Sequence, residues 1–465
     1  MTRYNLKYIF TISMVAAMGG LLFGYDWVVI GGAKPFYELY FDISQSPAWQ
    51  GWAMSSALIG CVFGAMLGGS TSDQYGRKKL LILAAILFIV SAYGSGAANH
   101  FSLFIVFRLL GGLGIGIASM ISPIYIAEVA PAEVRGLFVS INQLTIVIGI
   151  LAAQIVNMLI AQPVPDTFND QQILSSWNGQ LGWRWMFWAE ILPAFAFFTL
   201  MFLVPESPRF LMKIRNTVAA RKILAKVGGG DYADKTLRDI DRSLAEHTSK
   251  ISFKPLLQRK IRPVLVVGIV LAVFQQWCGI NVIFNYAEEV FESAGYSVND
   301  MFINIVITGS VNLLFTLVAM GTVDKWGRRK LMLLGSGALT FIYLVLGTFY
   351  FLQFTGWPVL LLVVMAIAVY AMSLAPVTWV VLSEIFPNRI RGVAMSVATL
   401  SLWVASSLLV LTFPFLNAVL NASGTFWVYA FISLAGFLFI LKKLPETKGK
   451  SLEEIENKLT QDGRE

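Results

Sequence analysis

Twelve stretches of mostly apolar residues alternate with short polar loops along this chain. A membrane-crossing helix needs about 20 such residues. Runs of that length fall near residues 8–36, 49–71, 79–98, 101–127, 139–160 and 183–204. After a polar stretch at 205–260, six more follow near 261–286, 300–322, 331–354, 357–384, 393–417 and 425–442. The pattern predicts an all-α membrane protein of twelve transmembrane helices. Its parts are a six-helix bundle at 1–204, a helical linker at 205–260, a second six-helix bundle at 261–443 and a tail at 444–465. An even number of crossings puts both termini on one side. In the linker, VAARKILAKV and LRDIDRSLAEH mix charge with apolar residues at helical spacing, so short amphipathic helices are expected there, lying on the membrane face. The first run is too long for a signal-peptide core and reads as the first span.

Composition agrees with this class: 57% of residues are hydrophobic and 13% charged, far from the balance of a soluble domain. A net charge of +8 alone would fit a nucleic-acid partner, but the basic residues sit in short loops. Arg77, Lys78, Lys79, Arg135, Lys325, Arg328, Arg329, Lys330, Arg389 and Arg391 share the side of the termini, and the opposite loops carry mainly Lys34 and acids. The positive-inside bias then makes both termini cytoplasmic. Cys61 and Cys278 lie in apolar runs and the two histidines in loops, so neither a disulfide framework nor a metal site is expected. GGLGIGIAS (111–119) lies within a span with no preceding strand, which points to helix packing through Gly112 and Gly116 rather than dinucleotide binding. GKS (449–451) lacks the upstream glycine of a phosphate loop. No cofactor is expected.

The chain repeats itself. SDQYGRKKLL (72–81) matches VDKWGRRKLM (323–332), EVAPAEVRG (128–136) matches EIFPNRIRG (384–392), and PESPR (205–209) matches PETKGK (445–450). Each pair follows the second, fourth and sixth run of its half, as two parallel six-helix repeats would arrange them. These motifs resemble the sugar porter family of the major facilitator superfamily over essentially the whole chain, nearest to its bacterial proton-linked xylose and other monosaccharide symporters. The resemblance implies the major facilitator fold in a bacterial inner membrane. It also implies a working monomer in lipid that carries D-xylose or a related aldose with a proton by alternating access and catalyses no covalent reaction. A proton-independent facilitator and a transporter-like sugar sensor are the alternatives. In such carriers Asp73, Arg77, Glu128, Arg135, Asp324, Arg328, Glu384 and Arg391 form a cytoplasmic gate. The plainer reading makes them topogenic charges.

Three charged groups lie at one depth. Asp26 is eight residues before Lys34, Arg108 eight after His100 and Glu190 seven after Trp183, which at 1.5 Å per residue puts each roughly 10–12 Å below the outer surface. A lone charge at such depth costs from about 3 to over 10 kcal/mol, so these groups are expected to face inward and pair. Arg108 stays charged but does not offset two carboxylates, so one carboxylate is expected to take up a proton readily. Protonating Asp26 would release Arg108. The resemblance makes Asp26 the proton site, and Glu190 is expected to fix Arg108. A static ion pair holding helices in register is the alternative.

A sugar ring asks for amides that donate and accept and for an aromatic face. Gln143, Gln275, Gln276, Asn281 and Asn312 lie at membrane depth, as do Trp379 and Trp403. Amides exposed to lipid would be costly, so they face a cavity or a partner helix. The resemblance makes all seven sugar ligands, with Asn285 and Tyr286 as an outer gate and Pro376 as a bend. Ile150 and Leu402 stand where the xylose carriers have amides, which leaves the choice of sugar open.

Overall fold

Long apolar segments without water must satisfy every backbone N–H and C=O internally, and helices do so. The computed structural model describes residues 4–165, 167–246, 258, 261–386 and 390–448, and no strand occurs among the described residues. The first half contains α1 (Leu6–Tyr40), α2 (Pro47–Tyr75), α3 (Arg77–Ala97), α4 (Phe101–Val129) and α5 (Arg135–Ile160). A short α6 (Asp170–Ser175) and a π-helical turn (Asn178–Gly182) lead into α7 (Trp183–Trp188) and α8 (Ile191–Leu203). The linker forms α9 (Pro208–Lys213), α10 (Thr217–Gly228) and α11 (Gly230–Glu246). The second half contains α12 (Arg262–Trp277), α13 (Ile280–Asn285), α14 (Ala287–Glu292), α15 (Val298–Trp326), α16 (Arg328–Phe351), α17 (Trp357–Met372), α18 (Leu374–Ile385) and α19 (Arg391–Lys443).

Among the described residues, eleven segments are long and apolar enough to cross a membrane, the last of them Gly392–Lys443. A continuous helix of that length would reach about 78 Å, more than twice the hydrocarbon thickness. Asn421 breaks it by leaving the helical conformation (φ 55, ψ −179). The segment is therefore two spans, which brings the total to twelve. Tertiary contacts divide the chain into one unit of Met1–Trp27, Gly60–Ile150 and Phe187–Ile251, and a second of Val28–Ile59, Leu151–Met186 and Ser252–Glu465. The first end of α1 thus belongs to one unit and its second end to the other, and α2 and α5 are divided in the same way. In the first unit, Gly60 and Gly64 of α2 meet Gly112 and Gly116 of α4 so closely that a Cβ at Gly60, Gly64 or Gly116 would strike the facing backbone.

The paired loop motifs are built alike. Gly76 (φ 95) precedes α3 and Gly327 (φ 89) precedes α16, and a Cβ on either would strike the carboxylate of Glu206 or Glu446 respectively. Glu206 Oε1 accepts from the N–H groups of Arg77 (3.0 Å) and Lys78 (3.1 Å), and Glu446 Oε1 accepts from the N–H of Arg328 (2.9 Å). In each repeat the glutamate of the PES or PET motif thereby caps a helix whose own preceding residue is a glycine with no side chain to offer. A carboxylate there also meets the positive end of the helix dipole. Removing it leaves orphaned N–H groups. Glu206→Ala and Glu446→Ala are each expected to destabilise the protein by about 1–3 kcal/mol. This would be read as a lower unfolding temperature of purified protein by tryptophan fluorescence, and unchanged temperatures in both would contradict the capping role.

Candidate functional site

Asp26 is held in place by how α1 packs within the first unit. Gly24 lies against the Ile146 carbonyl of α5, and Gly149 of α5 lies against the Leu21 carbonyl. Two residues on from Gly24 is a rotation of about 200° on a helix, so Asp26 points the other way. There it meets α4. Arg108 Nη1 forms an ion pair with Asp26 Oδ1, and Arg108 Nη2 donates to the Asp26 backbone carbonyl at 3.1 Å. Phe187 stands 5.5 Å from the guanidinium. Gly111, less than one turn along α4, leaves room for the pair: a Cβ there would strike both Asp26 Oδ2 and Ser91 Oγ.

Glu190 completes the group at the break between α7 and α8. Asp26, Arg108 and Glu190 are each 1% exposed, and the charges of Asp26 and Arg108 act on Glu190. Asp26 Oδ2, Arg108 Nε, both Glu190 oxygens, the Tyr25 hydroxyl and the Ser91 and Ser95 hydroxyls have no hydrogen-bond partner. One guanidinium therefore shares a buried space with two carboxylates and a surplus of unused acceptors. Two ionised carboxylates against one cation would be poorly compensated there. The arrangement is suited to holding one exchangeable proton.

In the second unit, the amides of the seventh span form a chain. Gln276 Nε2 donates to Gln275 Oε1 at 2.9 Å, Asn281 Nδ2 donates to Gln276 Oε1, and Asn285 Nδ2 donates to the Asn281 carbonyl at 2.8 Å. The helix is interrupted among them, because Gly279 takes a left-handed conformation (φ 89) between α12 and α13. Trp379 lies on α18 and the buried Trp403 on α19, and both helices pack against α12. The Trp277 indole joins α12 to α19 by donating to the Ala405 carbonyl at 2.8 Å. Asn312 is buried on α15, and the half-buried Gln143 lies on α5 in the first unit. Ser373 (φ −121, ψ −84) separates α17 from α18 three residues before Pro376, whose missing N–H and ring do not suit a continuous helix. Tyr286 is buried, donates to the Val410 carbonyl at 2.7 Å and packs on Phe413.

The loop charges pair inside each unit. Arg77 meets Asp73 at 3.2 Å and Glu128 at 3.0 Å, Glu128 accepts from Ser207, and Lys213 meets Asp73 at 3.1 Å. In the second repeat Arg328 meets Glu384 at 3.0 Å. Arg135 is exposed at the start of α5. The side chains of Asp324 and Arg391, and all of Arg389, lie outside the described residues.

One expectation is corrected. The sequence places Lys34 at the outer loop end of the first span, but α1 continues to Tyr40 and Lys34 is 2% exposed. It is buried because Glu38, Glu288 and Glu289 surround its ammonium. The spacing of Lys34 and Glu38 at i, i+4 was the available signal. Other groups were passed over as well. Glu206 and Glu446 were visible only as repeat markers, and Gln154, on the same run as Gln143, is buried against Gly309 of α15 with its Oε1 unpartnered.

Comparisons with known proteins agree with this architecture. The model of the family described as "Sugar (and other) transporter" matches residues 12–459. The D-xylose-proton symporter of Escherichia coli (strain K12) is 39% identical over 98% of this chain and 96% of its own length. The arabinose-proton symporter of Bacillus subtilis (strain 168) is 39% identical over 97% of this chain and 95% of its own. Among solved structures, the inward open conformation of the xylose transporter XylE from E. coli superposes with a TM-score of 0.84 at 38% identity, covering 97% of this chain and 99% of that one. Twelve apolar spans, the repeated loop motifs and near full-length similarity lead to one statement: this chain is an integral membrane protein belonging to the sugar transporter family of the major facilitator superfamily.

Proposed function

We propose that this protein is a proton-coupled monosaccharide symporter, most directly for D-xylose or a related aldose, working by alternating access. The observation that carries the proposal is the buried pairing of Asp26 with Arg108 beside an unpartnered Glu190. Neutralising Asp26 removes the ion pair, leaves Glu190 as the compensating carboxylate for Arg108, and changes which conformation the three groups favour. Near full-length similarity to a D-xylose-proton and an arabinose-proton symporter supports the same cargo. Sugar hydroxyls bind to Gln143, Gln275, Gln276, Asn281 and Asn312, with Trp379 and Trp403 offering ring faces. Opening a ligand path through the amide chain exchanges Gln–Gln and Gln–Asn hydrogen bonds for bonds to hydroxyls, so little hydrogen-bonding capacity is lost when sugar leaves. Asp73, Arg77, Glu128, Arg135, Asp324, Arg328, Glu384 and Arg391 act as the cytoplasmic gate.

Both termini face the cytoplasm, in line with the basic loops on their side. The bundles at 1–204 and 261–443 are the two repeats, joined by the linker at 205–260 and followed by the tail from 444. The protein works as a monomer in the bacterial inner membrane and performs no covalent chemistry.

Reconstituted vesicles test the coupling. An inward proton gradient is expected to drive labelled xylose above its external concentration, and collapsing the gradient to stop this. Equilibration without accumulation would make the protein a facilitator. Asp26→Asn is expected to abolish accumulation while sugar exchange across equal pH remains measurable, and accumulation at the unaltered level would move the proton site elsewhere.

Arg108→Met leaves buried carboxylates uncompensated. It is expected to cost about 3–5 kcal/mol of stability. Combining it with Asp26→Asn is expected to recover part of that loss, as read from unfolding temperatures in detergent. Additive losses would show that the two residues do not act as a pair.

A further inference from the structure

A second cluster of buried charge lies in the second unit, at the far end of α1 from the N-terminus. Lys34 Nζ contacts Glu289 Oε1 at 2.8 Å, Glu288 Oε2 at 2.9 Å and Glu38 Oε1 at 3.1 Å. The lysine is 2% exposed and Glu38 5%, while the side chains of Glu288 and Glu289 keep about a fifth of their surface in reach of solvent (20% and 19%). Gln50 of α2 donates to Glu38 Oε2 at 2.8 Å, Tyr37 donates its hydroxyl to Met54 Sδ at 3.2 Å, and the Tyr286 ring lies 6.0 Å from the ammonium. Gly31 of α1 lies against the Phe284 and Asn285 carbonyls, so the α1 backbone approaches α13 just below the cluster. Glu289 Oε2 has no hydrogen-bond partner.

The charges do not balance. One lysine faces three carboxylates in a space that excludes most water, and three ionised carboxylates around one cation would leave two negative charges poorly compensated. We propose that Lys34, Glu38, Glu288 and Glu289 form a second proton-binding site, on the outer side, which takes up a proton when the ends of α1 and α14 close on each other and gives it back when they part. This rests on the alternating-access reading. The site differs from Asp26 in its consequence, because the proton enters and leaves by the same side. It therefore sets how strongly outer closure depends on pH and adds nothing to the number of protons carried per sugar.

The electrostatics agree with the geometry. Burial pushes the Glu289 carboxyl up to about 8, against the pull of Lys34 and with the push of Glu288 and Glu38. Glu292, one turn on, is also raised, by burial first and then by Glu288, with Lys34 and Asp170 acting on it as well. When α1 and α14 part, Glu289 gains water and its affinity for a proton returns toward that of an ordinary carboxylate. The closed form thus binds the proton more tightly. Closure is favoured as pH falls below about 8, and the closed-to-open ratio drops by up to tenfold per pH unit as pH rises toward that value.

The test is a distance measurement on the full chain in lipid nanodiscs, with Cys61 and Cys278 replaced by Ala. Spin labels are placed at the exposed Gln45→Cys and Ser293→Cys positions, one beyond α1 and one beyond α14. The short-distance population is expected to shrink as pH rises from 5.5 to 8. Glu289→Gln is expected to hold the closed form at every pH, and Glu289→Asp to restore a pH response. The slope is expected to persist in Asp26→Asn. A parent population that ignores pH, a Glu289→Gln variant with the parent's slope, or a slope that disappears with Asp26→Asn would each overturn the proposal. Failure to accumulate sugar with the slope intact would reject symport and leave this outer site standing.

Discussion

The structure depends on a carboxylate and a guanidinium that share one buried space. Asp26 and Arg108 are each costly to bury alone, and together they are tolerable only because the fork of Arg108 reaches both the side chain and the backbone carbonyl of Asp26. The surrounding packing serves that geometry. Glycines at 24 and 149 let α1 and α5 close on one face, and Gly111 keeps the opposite face open for the pair. A group this constrained has few intermediate arrangements: either the pair is made or it is broken. That is the property a coupled carrier needs, because a proton then selects between states instead of deforming one gradually.

The same logic recurs wherever charge meets the fold. Glu206 and Glu446 cap helices that begin after a glycine, and Arg77 and Arg328 each find an acid on a neighbouring helix within their own unit. Two copies of one solution, separated by some 250 residues of sequence, reflect duplication of a six-helix block. At the other end of α1, Lys34 gathers three acids, and the imbalance is again one cation against too many carboxylates. The proton proposed for each of the two sites rests on this one electrostatic reason.

Much of the architecture was legible from the sequence because membrane spans are set by length and hydropathy, and both are read residue by residue. The loop motifs revealed the repeat, and counting from Lys34, His100 and Trp183 put Asp26, Arg108 and Glu190 at one level, although Lys34 lies inside α1 and is not its end. Partner choice was harder to read. Lys34 looked like a loop cation because the apolar run weakens near Pro35, yet α1 runs on to Tyr40 and its ammonium is buried by acids some 250 residues away. Glu206 and Glu446 looked like motif letters because a cap supplied from another span leaves no local signature. Gln154 was hidden for a related reason: periodicity marks a polar residue on a span but not which helix it faces. The interruption at Gly279 falls at a residue type that favours it, and the bend expected at Pro376 appears three residues earlier at Ser373, whereas the break at Asn421 was visible only as a gap between two apolar runs.

The proposed coupling makes sugar movement and proton movement one event at Asp26. The most direct measurement is the internal pH of sealed vesicles containing the purified protein and a trapped pH-sensitive dye, with no initial pH difference and an inward xylose gradient. Downhill sugar entry is expected to acidify the interior, and the signal is expected to be lost in Asp26→Asn while sugar still exchanges. Sugar entry at the unaltered rate with no change in internal pH would contradict it.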